Sequence, residues 1–183
     1  MESLNRKALI AFCILLGLNL LVRGFVRSKE GVPSRLETVY IDPESVVKIT
    51  LQKGTEQVVY TWVDTSWVRE VPLPAEGTGA ENHRAGHLRS SQEQTLKDYL
   101  HRICSMVREW IGPLPEGSLA DFGLDDKQAT IVRLYNSHQG EPFFAFRLGH
   151  PLPLNVAYRY GIFIEKQGLF KVLSSYQIPS ELW

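Results

Sequence analysis

Residues 91–111, SQEQTLKDYLHRICSMVREWI, decide the fold prediction, because they form the clearest helical pattern in a chain that otherwise alternates like β-strands. Apolar residues recur here at intervals of three and four, which places them on one face of an α-helix. Ser90 or the next serine can cap this helix, with Glu93 or Gln94 completing a capping box, and Gly112-Pro113 ends it. The apolar positions are Leu96, Tyr99, Leu100, Ile103, Met106, Val107, Trp110 and Ile111.

Four strands are predicted before this helix and four after it. Val47, Ile49 and Leu51 alternate with polar residues, and this period of two indicates a half-buried strand. Strand runs that are segregated from a helix are typical of the α+β class. We therefore expect an antiparallel sheet of about eight strands, with one long amphipathic helix between two four-strand runs. The predicted strands cover residues 36–41, 47–52, 57–63, 67–71, 129–135, 142–148, 157–165 and 169–173.

Residues 72–89, PLPAEGTGAENHRAGHLR, are predicted to be a loop. They contain two prolines and three glycines and have little apolar content. Loops of this length are uncommon in compact domains and often have a function. A lid over a ligand site is one interpretation of this segment.

The N-terminal apolar run, residues 8–22, predicts a single transmembrane helix. A spanning helix needs about 20 residues, with a lower limit near 17. The run reaches this length if Arg23 extends its guanidinium to the headgroups and the helix continues to Val26. We assign residues 1–27 to the anchor, 28–35 to a linker and 36–183 to the domain. The anchor residues are Ala8, Ile10, Leu15, Leu18, Leu21 and Val22.

Two other interpretations of this segment stay open. Arg6 and Lys7 could begin a cleaved signal peptide, although no small-residue cleavage site comes after the apolar run. A buried N-terminal core helix is the other, but the run is apolar on all sides, which is unusual for a half-buried helix. An uncleaved signal anchor fits best. The flanking charges slightly favour a cytoplasmic domain, whereas short anchors commonly export the domain that they precede, and we expect a periplasmic domain.

Charge and cysteine content exclude some functions of the domain. The chain has 20 basic and 20 acidic residues, and four of the basic ones but only one acidic one lie in residues 1–27. The remainder therefore has a net charge near −3, which argues against nucleic-acid binding. Cys104 is the only cysteine after residue 27, so no disulfide can form within the domain.

The sequence contains no recognisable catalytic, cofactor or metal motif, so we expect a protein that is not an enzyme. His83 and His87 have the spacing of metal ligands on a helix, but Gly86 lies between them in a predicted loop. His101 and Cys104 resemble a base and a nucleophile, yet Cys104 borders an apolar helix face, where a packed side chain is expected. One helix cannot cover both faces of a large sheet, so some apolar surface is expected to contact a partner. The candidate partner-surface residues are Phe143, Tyr160, His83 and His87.

Residues 36–175 resemble the domain-of-unknown-function 4340 family, whose members combine a membrane anchor with a domain of strands and one helix. This resemblance implies an accessory subunit without catalytic residues, bound to integral membrane proteins and in some cases to an ABC-type transporter. The alternative is an extracytoplasmic ligand- or peptide-binding module with residues 72–89 as its lid. The matching residues are Asp42, Val46-Val47-Lys48-Ile49, Trp67, Pro72, Phe122-Gly123-Leu124-Asp125, Ala129-Thr130-Ile131-Val132 and Leu148-Gly149.

Overall fold

Ten antiparallel β-strands form one sheet in the part of the chain that the computed structural model describes, residues 36–71, 84–114 and 119–183. One α-helix, α1 (Ser90–Cys104), accompanies the sheet in these residues. The strands are β1 (Leu36–Thr38), β2 (Lys48–Lys53), β3 (Glu56–Val63), β4 (Ser66–Val71), β5 (Arg84–His87), β6 (Val107–Gly112), β7 (Thr130–Tyr135), β8 (Phe144–Leu152), β9 (Asn155–Phe163) and β10 (Lys166–Leu173).

The strand order in space interleaves the two halves of the chain. Along the sheet the order is β1-β6-β10-β9-β8-β7-β2-β3-β4-β5. The five strands that come after α1 in the chain therefore lie between β1 and β2. Four short 3-10 helices complete the elements of the described ranges: Pro43–Ser45, Leu119–Phe122, Ser174–Tyr176 and Ser180–Leu182.

The core lies between one face of the sheet and α1. Ile49 on β2 pairs with Tyr60 on β3 and with Leu134 on β7, and residues directly opposite each other share a face. These side chains belong to one buried cluster with Leu96 and Ile103 of α1. The amphipathic helix thus buries its apolar face on the sheet, as its spacing predicts.

The C-terminal segment closes the same core. The Tyr99 hydroxyl of α1 donates a hydrogen bond to the carbonyl oxygen of Tyr176 at 3.1 Å. Leu182 and Ile178 are also buried in the cluster. Complete burial raises the pKa of Tyr99 well above its usual value, so this phenol stays a neutral donor.

A buried cation on β6 contacts residues of three other strands near one edge of the sheet. Arg108 on β6 is 7% exposed, and its guanidinium lies 4.3 Å from the centre of the Phe163 ring and 4.8 Å from that of Phe170. Its Nε donates to Glu37 Oε2 of β1 at 3.3 Å, and its Nη1 donates to Glu165 Oε1 at 2.5 Å. The charge is therefore paired as well as packed against aromatic faces.

The predicted α+β class, with eight strands in two runs of four, is wrong. The described residues form a mostly antiparallel sheet of ten strands with one helix, and five strands lie on each side of α1 in the sequence. The central strands β2, β3 and β7 lie where the alternation predicts them. The two additional strands come from segments whose patterns predict helix and loop.

The helix ends at Cys104, seven residues before the predicted end at Ile111. Ser105 leaves the helical conformation with φ −122° and ψ 39°, and its hydroxyl donates to the carbonyl of His101 at 3.0 Å. Residues 107–112 then form β6, whose one buried side chain is that of Arg108, while Trp110 on the same face is partly buried against the core. Val107 and Ile111 continue the helical spacing by coincidence, and pairing with β1 and β10 overrides it.

Two predicted loops contain strand. Arg84–His87 forms β5 on β4, although it lies within the predicted loop 72–89. The proline-rich stretch that begins at Gly149 continues β8 to Leu152, with breaks in register on both sides of Pro151. Proline cannot donate to a ladder and is tolerated at such a bulge.

The predicted anchor and linker, residues 1–35, lie outside the described residues, as does most of the predicted lid, residues 72–83. Within the described ranges, none of the helices combines the length and apolar character needed to cross a membrane. The transmembrane prediction therefore stays a prediction from the sequence.

Candidate functional site

A cleft of about 440 Å³ opens beside the two tryptophans of the β3–β4 hairpin. Its walls come from three parts of the domain: the 3-10 turn Pro43–Ser45, the hairpin and α1. Clefts of about this size that mix aromatic surface with a few polar groups are common binding sites. The lining residues are Pro43, Glu44, Val46, Trp62, Trp67, Lys97, Leu100 and His101.

Local hydrogen bonds fix the turn that forms one wall. The Asp42 side chain accepts a hydrogen bond from the backbone N–H of Glu44 at 3.1 Å. The Ser45 hydroxyl donates to the carbonyl of Asp42 at 2.6 Å. Proline at the first helical position needs no partner for a backbone N–H. These contacts hold Pro43 and Glu44 at the rim of the cleft.

The hairpin presents Trp62 and Trp67 as a pair. They are direct partners in the β3–β4 ladder, and their rings meet edge to face with centroids 5.6 Å apart at 68°. A two-residue turn joins the strands, and its Asp64 has φ 54°, a conformation in which Asp is tolerated. Trp67 is buried, whereas Trp62 is half-buried and offers ring surface to a ligand.

Helix α1 contributes the charged side of the cleft. The Lys97 ammonium lies 6.0 Å from the centre of the Trp62 ring and pairs with Glu93 one turn earlier at 2.8 Å. Glu44, on the 3-10 turn Pro43–Ser45, also lines the cleft. The cleft therefore combines apolar walls with an acid and a base at its rim, an arrangement that suits an apolar segment flanked by polar groups.

His101 and Cys104 do not form a nucleophilic pair. Cys104 is buried in the core, whereas His101 is exposed on the surface of α1. Burial, with a smaller contribution from the nearby Asp42, raises the pKa of the Cys104 thiol to about 11. A thiol with this pKa is protonated at neutral pH and is a poor nucleophile. The prediction that Cys104 is a packed side chain agrees with this environment.

The three predicted partner-surface residues that the structure describes do not come together. Phe143 is exposed before β8, and Tyr160 on β9 packs edge to face on Phe122 at 4.9 Å. Since Phe146 pairs with Phe163 on β9, Phe143 and Tyr160 are ~20 Å apart along the ladder. His87 is exposed on β5, and His83 lies outside the described residues. Phe143, Tyr160 and His87 do not line the cleft.

A larger recess of about 850 Å³ lies at the β2–β3 turn. It is more open to solvent than the tryptophan cleft and is lined mainly by polar and charged side chains, including Lys53, Glu56 and Asp126. Such a surface holds a ligand less well than a partly enclosed aromatic cleft. In the described parts of the chain, no three His, Cys, Asp or Glu side chains are grouped to hold a metal ion.

Comparison with known protein families finds no match, and the comparisons with curated proteins and with solved structures find none. The resemblance to the domain-of-unknown-function 4340 family therefore stays a prediction from the sequence motifs.

The candidate site residues predicted from the sequence do not include those of the tryptophan cleft. A usable signal was present, since Trp62 and Trp67 flank a tight turn and such positions face each other across a hairpin. The contributions of residues 43–46 and of α1 depend on tertiary packing and have no local signature.

Proposed function

We propose that this protein is a non-catalytic accessory subunit of a membrane protein complex and that it binds its partner through the tryptophan cleft. The half-buried Trp62 supports this proposal most strongly. A large aromatic ring left partly open in a cleft is typical of the residues that dominate binding between proteins. The N-terminal segment is proposed to act as the anchor that keeps the domain beside the bilayer.

The cleft fits a short apolar segment of a partner chain. Aromatic walls bind proline and aliphatic side chains through their flat faces, and the rim charges of Glu44 and Lys97 orient the polar ends of such a segment. An integral membrane subunit, with an ABC-type transporter as the first complex to examine, is the proposed partner. A periplasmic location of the domain is part of this proposal.

The lid interpretation receives less support. Arg84–His87 belongs to β5, and none of the described residues that line the cleft comes from residues 84–89. Val71 and Arg84 are the described residues on either side of residues 72–83. They pair with each other at the end of β4 that lies away from Trp67. We therefore favour a docking cleft over a lidded ligand site.

Site-specific photocrosslinking of the full chain in its native membrane tests the proposal. A photoreactive amino acid in place of His101, at the exposed rim of the cleft, is expected to crosslink to an integral membrane protein. The same amino acid in place of His138, exposed in the β7–β8 turn, is the matched control. Equal crosslinking from both positions, or none from position 101, would contradict the proposal.

A charge variant gives a second measurement. Lys97→Ala removes an exposed ion pair and is expected to change the free energy of unfolding by less than ~0.5 kcal/mol. It also removes the cation beside Trp62, so recovery of the complex in mild detergent should decrease. Unchanged recovery together with unchanged stability would exclude Lys97 from the docking surface.

A further inference from the structure

A small recess of about 130 Å³, which we call the arginine recess, lies on the face of the sheet that points away from α1. Leu134 and Phe144 pair across β7 and β8 and belong to the core on the helix side. Side chains alternate between the two faces of a strand, so the next pair, Arg133 and Ala145, lies on the opposite face. The tryptophan cleft is on the helix side, and the two sites are therefore separate. Among the lining residues of the arginine recess are Ile131, Arg133, Ala145, Arg147, Ile162 and Ile164.

Apolar side chains give the arginine recess its floor and part of its rim. Ala145 is 1% exposed and Ile131 is 3% exposed, so both are buried beneath longer neighbours. Because a short alanine stands directly opposite Arg133, a gap remains that a longer side chain would fill. Ile164 is 71% exposed at the rim. The volume is well above what one water molecule needs, so a group of several heavy atoms can enter.

Two positive charges line this recess from neighbouring strands. Arg133 on β7 pairs with Ala145 on β8, and Arg147 lies two residues further along β8, so the two arginines are diagonal neighbours on one face. Residues in this relation are about 7–8 Å apart, within reach of each other for long side chains. Their like charges repel each other. An anion between the two guanidinium groups would replace this repulsion with attraction.

The surrounding side chains neutralise the arginines only in part. Their ladder neighbours on this face are uncharged except Lys48, which is diagonal to Arg133 and adds a third positive charge. Of the described carboxylates, Asp126 alone forms an ion pair with either arginine, contacting Arg147 at 2.6 Å, and its side chain is 77% exposed. Arg133 donates to Oε1 of Gln52 at 2.9 Å, which is a neutral acceptor. The site therefore keeps a positive charge that no described side chain balances.

We propose that the arginine recess binds a phosphate group. A phosphate has several acceptor oxygens, so it accepts charge-assisted hydrogen bonds from two guanidinium groups at once. Arg133 bonds to Gln52 through Nη1, and Arg147 bonds to Asp126 and to the carbonyl of Leu124 through the same atom type, so their other N–H donors face no described acceptor. The exposed Ile164 beside these charges suits a phosphate that carries an apolar group. The headgroup of an anionic phospholipid and a soluble phosphate ester are the two sources of this chemistry.

A phosphorus NMR titration of the full chain in a nonionic detergent, with inorganic phosphate as the probe, tests the proposal. Ionic strength is held constant, because salt screens such charges. Wild type should bind in a saturable manner, and Arg133→Gln should weaken binding about tenfold or more. Arg102→Gln is the matched control, since Arg102 is exposed on α1 and also donates one hydrogen bond of 2.9 Å, to the carbonyl of Ser175. Equal effects of the two variants, or no saturable binding by wild type, would overturn the proposal.

A variant that strengthens binding gives a result that misfolding cannot imitate. Asp126→Asn removes the carboxylate that competes with phosphate for Arg147, so binding should become several-fold tighter. Asp64→Asn makes the same chemical change at the exposed β3–β4 turn and should leave phosphate binding unaltered. Unchanged or weaker binding by Asp126→Asn would contradict a phosphate site beside Arg147.

Two probes with the same phosphate headgroup distinguish the sources. Dihexanoyl phosphatidic acid carries two short acyl chains, whereas glycerol 3-phosphate carries none. Binding of the lipid at least tenfold tighter, with the advantage lost in Ile164→Ser, would identify a phospholipid headgroup as the ligand. Equal binding of both probes would identify a soluble phosphate ester, and binding of neither would overturn the proposal. The arginine recess is independent of the tryptophan cleft, so each of these outcomes leaves the docking proposed for the cleft to its own test.

Discussion

The hydroxyl of Tyr60 donates a hydrogen bond of 2.8 Å to the backbone carbonyl of Leu182, across 122 residues of sequence. Both residues are fully buried, and the bond ties the last 3-10 turn of the chain to the centre of β3. Arg69, the ladder partner of Tyr60, donates to the carbonyl of Trp183 at 3.2 Å. The C-terminus is thus an integral part of the core.

Tyr60→Phe should destabilise the domain by about 1–3 kcal/mol, because it leaves a buried carbonyl without its donor. Burial raises the pKa of Tyr60, an effect that the nearby Arg69 partly opposes. The phenol is therefore favoured in its neutral form by folding. The stabilisation that comes from the neutral phenol is complete below the ordinary pKa of 10.0. It is lost as the pH rises through the higher pKa of Tyr60 in the folded state.

Chemical denaturation at neutral pH and above pH 10 checks this prediction. The stability difference between Tyr60→Phe and wild type should shrink at high pH. Tyr40→Phe alters an exposed tyrosine and is the control. A Tyr60→Phe variant as stable as wild type would show that the hydrogen bond contributes nothing to stability.

Glu37→Gln should weaken the charged cluster at the edge of the sheet by about 1 kcal/mol, a modest value because the carboxylate is partly exposed. The pKa of Glu37 is lowered mainly by a hydrogen bond from Lys166. Partial burial opposes this shift, whereas the positive charges of Lys166 and Arg108 add to it. A lowered pKa means that the stabilisation is complete above the ordinary value of 4.5. It is lost as the pH falls below 4.5 through the folded-state pKa.

Unfolding curves between pH 7 and pH 3 provide the measurement. Wild type and Glu37→Gln should differ at pH 7 and converge at the acid end. Glu56→Gln changes an exposed carboxylate at the β2–β3 turn and should leave the pH profile unaltered. A constant difference over the whole range would show that Glu37 acts through packing and not through its charge.

Gly149→Ala should destabilise the domain by about 1–3 kcal/mol or more, the usual cost of overpacking. A Cβ at this position would overlap the backbone carbonyl oxygen of Phe122 and approach the Leu124 side chain at 2.9 Å. The segment 119–124 packs closely on β8 here, and a backbone atom cannot move aside as a side chain can.

Gly112→Ala is the matched substitution, because a Cβ there meets nothing within 4 Å. Its effect should be small, since Gly-to-Ala changes at compatible sites alter stability by less than ~1 kcal/mol. Thermal unfolding of the two variants side by side measures the difference. Similar melting temperatures for both variants would show that the segment around Phe122 moves easily to accommodate the added Cβ.

Local sequence patterns predict the central strands and the start of α1, but neither the ten-strand sheet nor the site. Alternation located the central strands because one face of each is buried, as the pairing of Ile49 with Tyr60 and Leu134 illustrates. It failed at β6, where the most buried residue is Arg108, a cation whose burial depends on Glu37 and on two aromatic rings from strands later in the chain. No local pattern records that kind of compensation.

The cleft could not be predicted from the sequence for a related reason. Trp62 and Trp67 fit the strand pattern, which predicts core residues. What makes them a site is the position of the 43–46 turn and of Lys97, which tertiary packing decides. The sequence predicts His87 and Phe143 as partner-surface residues. Both are exposed, but they do not lie on a common surface.

The interleaved strand order determines when the sheet can be completed during synthesis. Strand β2 borders both β3 and β7, and within the described residues β1 pairs only with β6. A nascent chain that ends before β7 therefore presents β2 with one unpaired edge, and an open edge is a template for wrong pairing with other chains. Non-local pairing of this kind also slows folding. This edge of β2 is therefore covered only after synthesis has reached β7.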